Sequence, residues 1–129
     1  MRVFIADDSG PIVERLAGLL DDVPGVEFAG HAADVTQAVH DILELKPEVL
    51  ILDLHMPGGS GLDVLRAIRL LHLDLPVIIC TNHPDSEYRD ECLSAGATFF
   101  LDKSSEFQKI PSILCGLMEK KSKVSSVAR

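Results

Sequence analysis

Five polar residues each stand directly after a short apolar run. Asp7 and Asp8 follow VFIA, Asp53 follows VLIL, Thr81 follows VIIC, and Lys103 follows FFLD. Three carboxylates drawn together repel one another and resist joint ionisation. A raised pKa with a shared proton relieves that strain, and so does a hard cation. Oxygen-only donors suit Mg²⁺ or Mn²⁺, and Mg²⁺ typically takes one or two carboxylates with waters and phosphate oxygens. Asp8 and Asp53 would supply carboxylates, and the backbone carbonyl of His55 a third oxygen. Lys103 then serves as a point charge beside a transferred phosphoryl group. Thr81 offers that group a hydroxyl donor. Asp53, the central acid, is the candidate nucleophile.

This chemistry needs elements that bring the five residues to one place. Apolar runs at 3–6, 26–29, 49–52, 76–80 and 98–101 read as buried strands. Between them, apolar residues recur three or four apart, the pattern of amphipathic helices. The stripes are Ile12, Leu16, Leu19 and Val23; Val35, Ala38, Val39, Ile42 and Leu43; Leu62, Leu65 and Ile68; Tyr88, Cys92 and Ala95; and Phe107, Ile110, Ile113, Leu114 and Leu117. Ser9 and Asp34 are candidate N-caps, Pro11 sits in a first turn, and Gly96 stands where a helix ends. Five successive βα units predict an α/β fold, a doubly wound five-stranded parallel sheet of flavodoxin-like order 2-1-3-4-5. In that order strands 1 and 3 are neighbours, and ligands bind at the carboxyl edge beside the reversal. Asp7 or Asp8 alone reads as a helix cap. The acid pair, acid, hydroxyl and lysine on successive strand ends read as a site.

The 129 residues suit one domain, and the formal net charge of −8 argues against nucleic acid or an anionic membrane as a direct partner. Three cysteines, Cys80, Cys92 and Cys115, without a CxxC spacing exclude a disulfide framework. No stretch is long and apolar enough to span a bilayer, and MRVFIADD does not open like a signal peptide. A cytoplasmic protein is expected. Residues 1–120 form the domain, and 121–129 are a basic polar tail, either a helix end or the start of a linker.

The pieces IADDS, ILDLHMPGGSG, VIICTN and FFLDKS, in this order and spacing, resemble the receiver domain of two-component response regulators. The resemblance implies that Asp53 accepts a phosphoryl group from a phosphohistidine on a sensor histidine kinase or a histidine phosphotransfer protein. It implies that Asp8 and Asp53 ligate Mg²⁺ directly, with Asp7 acting through water. Thr81 and Phe100 would be the switch pair, and Lys103 would bridge to phosphoryl oxygens. Phosphorylation would let Thr81 move and Phe100 turn inward, reshaping the face of helix 4, strand 5 and helix 5. That face would control a downstream protein or an absent output domain, or form a homodimer on activation. The domain would be a phosphorelay switch, not a turnover enzyme.

The chain also departs from the family pattern. Ser104 replaces a frequent proline after the lysine, so a trans peptide is expected there. Asn82 stands where a small residue is common and would narrow access to Asp53. The run Gly58-Gly59-Ser60-Gly61 reads as unusually mobile. His55 and His83, two residues beyond Asp53 and Thr81, read as solvated loop histidines at the mouth of the site. Rival readings are a haloacid dehalogenase-type phosphatase, which the adjacent Asp7-Asp8 pair does not match; a flavin-binding protein, which lacks a hydroxyl-rich first loop; and a pseudo-receiver that never takes phosphate.

Overall fold

The five apolar runs form parallel strands, and each amphipathic stripe forms the helix that carries the chain back to start the next one. The computed structural model describes residues 1–82 and 86–127, with side chains for 1–82 and 87–120. The elements are β1 (Arg2–Ala6), α1 (Gly10–Asp21), β2 (Glu27–Ala32), α2 (Val35–Leu45) and β3 (Val49–Leu52). Then come a hairpin of β4 (His55–Met56) and β5 (Gly59–Ser60), α3 (Gly61–Leu70), β6 (Val77–Thr81) and α4 (Ser86–Ser94). The chain continues with β7 (Phe99–Asp102), a 3₁₀ turn at Phe107–Lys109, and α5 (Ile110–Val127). The main sheet has the order β2-β1-β3-β6-β7, with every pairing parallel. Since β4 and β5 form a separate ribbon, this is the expected order 2-1-3-4-5.

Strand residues alternate between two cores, as the two-residue strand period requires. Phe4, Ala6, Leu50, Leu52, Val77, Ile79 and Phe100 face one way, against Ala38 and Ile42 of α2, Val64, Leu65 and Ile68 of α3, and Cys92 of α4. Val3, Ile5, Val49, Ile51, Ile78, Cys80 and Leu101 face the other way, against Val13, Leu16 and Leu20 of α1, and Ile110 and Leu114 of α5. Both faces are covered, which is why the strands read as unbroken apolar runs. The expected caps hold two helix starts: Ser9 accepts from the Ile12 amide at 3.4 Å, and Asp34 from the Gln37 amide at 2.8 Å.

Three expectations shift. The second strand lies at Glu27–Ala32, later than 26–29, because it is an edge strand with exposed positions and no apolar signature of its own. In α1 the buried residues are Val13, Leu16 and Leu20, so the stripe is rotated by one residue from Ile12 and Leu19, which are only partly covered. Leu43 is 44% exposed, because Ala38 and Ile42 carry the inner face of α2. Ile42→Ala is therefore expected to cost about 2–5 kcal/mol, and Leu43→Ala less than about 1 kcal/mol. Urea unfolding of both variants measures the contrast, and equal losses would contradict the facing of α2.

Candidate phosphoacceptor site

Register places the chemistry. Ala6 pairs with Leu52, so the next residues, Asp7 and Asp53, leave neighbouring strands side by side. The Asp53 amide donates to the Ala6 carbonyl at 2.9 Å, and the Asp7 amide to the Ala32 carbonyl at 3.0 Å. On the other side Thr81 pairs with Asp102, and the Lys103 amide donates to the Thr81 carbonyl at 2.9 Å. Among the described residues, the buried polar side chains are Asp7, Asp53, Thr81 and Lys103. All four stand at this one edge of the sheet.

Carboxylate oxygens of Asp7, Asp8 and Asp53 lie within 4.8 Å of one another. Asp8 is exposed, while Asp7 and Asp53 are buried. The Lys103 ammonium stands between the buried pair, 2.6 Å from Asp7 Oδ2 and 3.4 Å from Asp53 Oδ2. Its stronger contact is with Asp7, although the sequence had pointed it at the phosphoryl position beside Asp53. Asp7 also accepts from the Ser9 amide at 2.9 Å, which anchors its other oxygen. Burial, and then repulsion from Asp7, raise the Asp53 pKa above its ordinary 3.8, against the opposing pull of Lys103 and the His55 backbone amide. Burial alone would lower the Lys103 pKa, but its hydrogen bond to Asp7 and the charges of Asp53 and Asp7 raise it. Asp8, Ser9, Ile12, Asp53, His55, Asn82 and Lys103 line a cavity of about 230 Å³. A clustered, oxygen-only donor set with one buried carboxylate held above its ordinary pKa fits a small hard cation. Asp7, Asp8 and Asp53 are the residues that could hold one.

The loop after Asp53 contains a short antiparallel ribbon. His55 pairs with Ser60 and Met56 with Gly59, around a Pro57-Gly58 turn in which Gly58 has φ +86°. Proline then glycine at positive φ is the type II turn pair. The Gly61 amide donates to the Leu54 carbonyl at 2.8 Å. A Cβ at Gly61 would lie 2.0 Å from the Asp53 carbonyl oxygen, so only glycine lets α3 start this close to the acid. Part of this run thus pairs in a short ribbon.

The turn after Lys103 has its own solution to the missing proline. Asp102 accepts from the Ser104 amide at 2.9 Å, the Ser104 hydroxyl at 2.7 Å and the Ser105 hydroxyl at 3.2 Å. The Ser104 hydroxyl, and then its amide, hold the Asp102 carboxyl below the usual carboxylate range. This is an Asx turn, legible as Asp-Lys-Ser had it been sought. No cis peptide occurs among the described residues. Phe100 is buried, packed with Cys92 and Leu65 in the core under α3 and α4. Its ring already lies inside, so the inward turn expected on phosphorylation does not start from an outward ring in this structure. Asn82 is exposed and lines the cavity. His83 lies outside the described residues.

A family model for the response regulator receiver domain matches residues 3–114. The chain belongs to this family. It is 34% identical over 110 residues to a transcriptional regulatory protein, YvfU, of Bacillus subtilis, covering 85% of this chain and 55% of that protein. It is 29% identical over 105 residues to the response regulator GacA of Pseudomonas viridiflava, covering 81% and 49%. It is 30% identical over 107 residues to a protein-glutamate methylesterase/protein-glutamine glutaminase of Treponema denticola, covering 81% and 29%. The receiver thus spans about half or less of these relatives. Among solved structures, the response regulator domain of Thermotoga maritima CheB superposes with a TM-score of 0.80 at 28% identity, over 93% of this chain and 94% of that one. The isolated receiver domain of RcsB from Salmonella enterica superposes at 0.85 with 25% identity, over 92% and 88%. Receiver domains are the phosphorylation-dependent switches of two-component signalling, and generally bind Mg²⁺ through acidic residues.

Two outcomes follow from this geometry. A raised pKa means that folding favours protonated Asp53, so its ionised form subtracts stability. In EDTA-treated protein, the stability of Asp53→Asn relative to the parent should climb as pH rises from about 3.8 through the raised Asp53 value, then level off. Denaturant unfolding across pH measures this, and a falling difference would contradict it. Gly61→Ala should destabilise by about 1–3 kcal/mol or more, because its new methyl meets backbone rather than a side chain that can swing away. Thermal unfolding reads that loss.

Proposed function

We propose that Asp53 is the phosphoryl acceptor of this receiver and that a sensor histidine kinase or histidine phosphotransfer protein is its donor. The observation that carries the reading is the meeting of the four buried polar side chains at one sheet edge, opening on a cavity that holds Asp53. An Asp53 carboxylate oxygen attacks the phosphorus of the phosphohistidine. The O–P bond forms as the P–N bond breaks, and its electron pair returns to the departing imidazole. Phosphoryl transfer rests on positioning and charge neutralisation more than on covalent assistance. Mg²⁺, when bound, supplies neutralising positive charge to the transferring oxygens. Asp8, Asp53 and the His55 carbonyl would hold it directly, with Asp7 acting through water. Lys103 exchanges part of its contact with Asp7 for the new phosphoryl oxygens. Thr81 donates its hydroxyl to the same group.

The product carries a charge of about −1.5 to −2 if it behaves like other phosphoresidues. That charge redirects Lys103 and Thr81, and thereby shifts the population of the face formed by α4, β7 and α5. Phe100 begins that shift from a buried position. In this reading the domain is a stoichiometric acceptor acting in the cytoplasm, and its output lies in a partner, a second copy or a further domain. The longer relatives support the last. We assign the switch to residues 1–120; residues 121–129 are a helix end or the start of a linker, and α5 continues to Val127. The RcsB receiver has been solved in the presence of phosphomimetic BeF₃⁻, which supports the use of the same mimic here.

Acetyl phosphate with Mg²⁺ should give a base-labile, acid-stable adduct on the intact chain, seen by mass spectrometry. Asp53→Asn should lose at least about 10-fold of the labelling, as removal of a nucleophile does. Adduct in the variant at the parent rate would overturn the acceptor assignment. Steady turnover of a generic phosphomonoester would favour the phosphatase reading instead.

A further inference from the structure

We propose that Asp102 is a positioning residue for phosphoryl transfer: its carboxylate closes a ring around Lys103 and so aims the ammonium that faces Asp53, an inference that rests on Asp53 being the acceptor. Asp102 does not line the cavity that holds Asp53, so it acts through Lys103 and not on the reacting atoms.

The Lys103 backbone is held on both sides. Its own amide donates to the Thr81 carbonyl at 2.9 Å. The next amide, that of Ser104, donates to Asp102 Oδ1 at 2.9 Å. A bond from residue i to residue i+2 encloses the residue between them, so this ring contains Lys103 and restricts the backbone from which its side chain starts. The carboxylate is steadied in turn by the Ser104 hydroxyl at 2.7 Å and the Ser105 hydroxyl at 3.2 Å. The Asp102 amide donates to Glu106 Oε1 at 3.1 Å, and Lys109 ties the other Glu106 oxygen at 2.7 Å. Phe107, buried with the Arg15 guanidinium 4.4 Å over its ring, pins the far end of the loop.

Lys103 needs this aim because it serves two acids. Its ammonium lies 2.6 Å from Asp7 and 3.4 Å from Asp53, so Asp7 has the tighter hold. A loosened Lys103 backbone lets the ammonium settle wholly on Asp7, and a phosphoryl group arriving at Asp53 loses its neighbouring positive charge. Phosphoryl transfer rests on positioned charge, and a misplacement of about 1 Å is costly. A proline at position 104 has no amide proton and could not close this ring. The device therefore belongs to the Asp-Lys-Ser order of this chain. Deleting the carboxylate spares the bond from the Glu106 amide to the Asp102 carbonyl, 2.8 Å long, so the chain still turns. Only the ring around Lys103 opens.

The test follows the initial rate of adduct formation on the full chain with acetyl phosphate and Mg²⁺. Asp102→Ala should slow labelling by about 2- to 12-fold, the span that one hydrogen bond commands. Asp102→Glu keeps the charge on a side chain too long for the ring and should be slowed likewise. Asp102→Asn removes the charge, keeps the acceptor oxygen and should label at the parent rate. In ¹H–¹⁵N spectra the Ser104 amide should move in Asp102→Ala and stay in Asp102→Asn. In a Lys103→Ala background, followed over longer times, Asp102→Ala should add no further loss, because the carboxylate works through the lysine. Parent-like labelling in Asp102→Ala and Asp102→Glu, an equal loss in Asp102→Asn, or an undiminished loss without Lys103 would each overturn the positioning role alone. A parent chain that takes no label would overturn the acceptor reading and this role together, and is recognised by the absence of label in every variant.

Discussion

A buried ammonium between two buried carboxylates is the interaction on which the rest of this molecule depends. Lys103 touches Asp7 at 2.6 Å and Asp53 at 3.4 Å, and all three side chains are nearly sealed from solvent. One cation does not balance two anions, and Asp8 adds a third carboxylate at the rim. The edge is therefore short of positive charge by design of its residues. Burial first, and then repulsion from Asp7, raise the pKa of Asp53. A divalent cation, such as receiver domains generally bind through acidic residues, would relieve the imbalance. Removing Lys103 from this set would leave the buried carboxylates uncompensated, which costs far more than the pairing contributes.

The sheet makes this arrangement possible. Parallel strands deliver their carboxyl ends to one edge, and the reversal of order opens a crevice there. Main-chain bonds from Asp7, Asp53 and Lys103 to Ala32, Ala6 and Thr81 hold the peptides so that the side chains converge. The ribbon after Asp53 adds a second constraint. Its close approach to α3 leaves no space for a side chain at Gly61, so the position of the acid and the start of the helix are set together.

The two faces of the sheet are held unequally. Helices α1 and α5 seat apolar side chains across the second core, and Arg15 stacks its guanidinium 4.4 Å over Phe107 to close the turn after Lys103. On the other face, α4 contributes Cys92 and relies on Arg66, Arg69 and ring contact at its edge. Elements with few buried apolar contacts are the ones that open first. Among the described side chains, α4 has the fewest buried apolar ones of the five helices.

Much was legible before any coordinates. The strand count, their order, the two caps at Ser9 and Asp34 and the convergence of Asp7, Asp8, Asp53, Thr81 and Lys103 follow from apolar runs and their polar terminators. Those signals are local, and burial on both faces writes them strongly. What pairwise contact decides was not legible. The exposed edge strand at Glu27–Ala32 has no apolar signature, part of the glycine run pairs back on His55 and Met56, and Leu43 lost its place to Ile42 through the facing of one helix. That Lys103 leans on Asp7, that Phe100 lies inside and that Tyr88 reaches His55 are facts of side-chain distance across the sheet and between helices. Sequence order specifies which groups reach the edge, because periodicity sets which way each residue faces. Only the closed tertiary structure decides which of them touch, because contact depends on separations that no local pattern encodes.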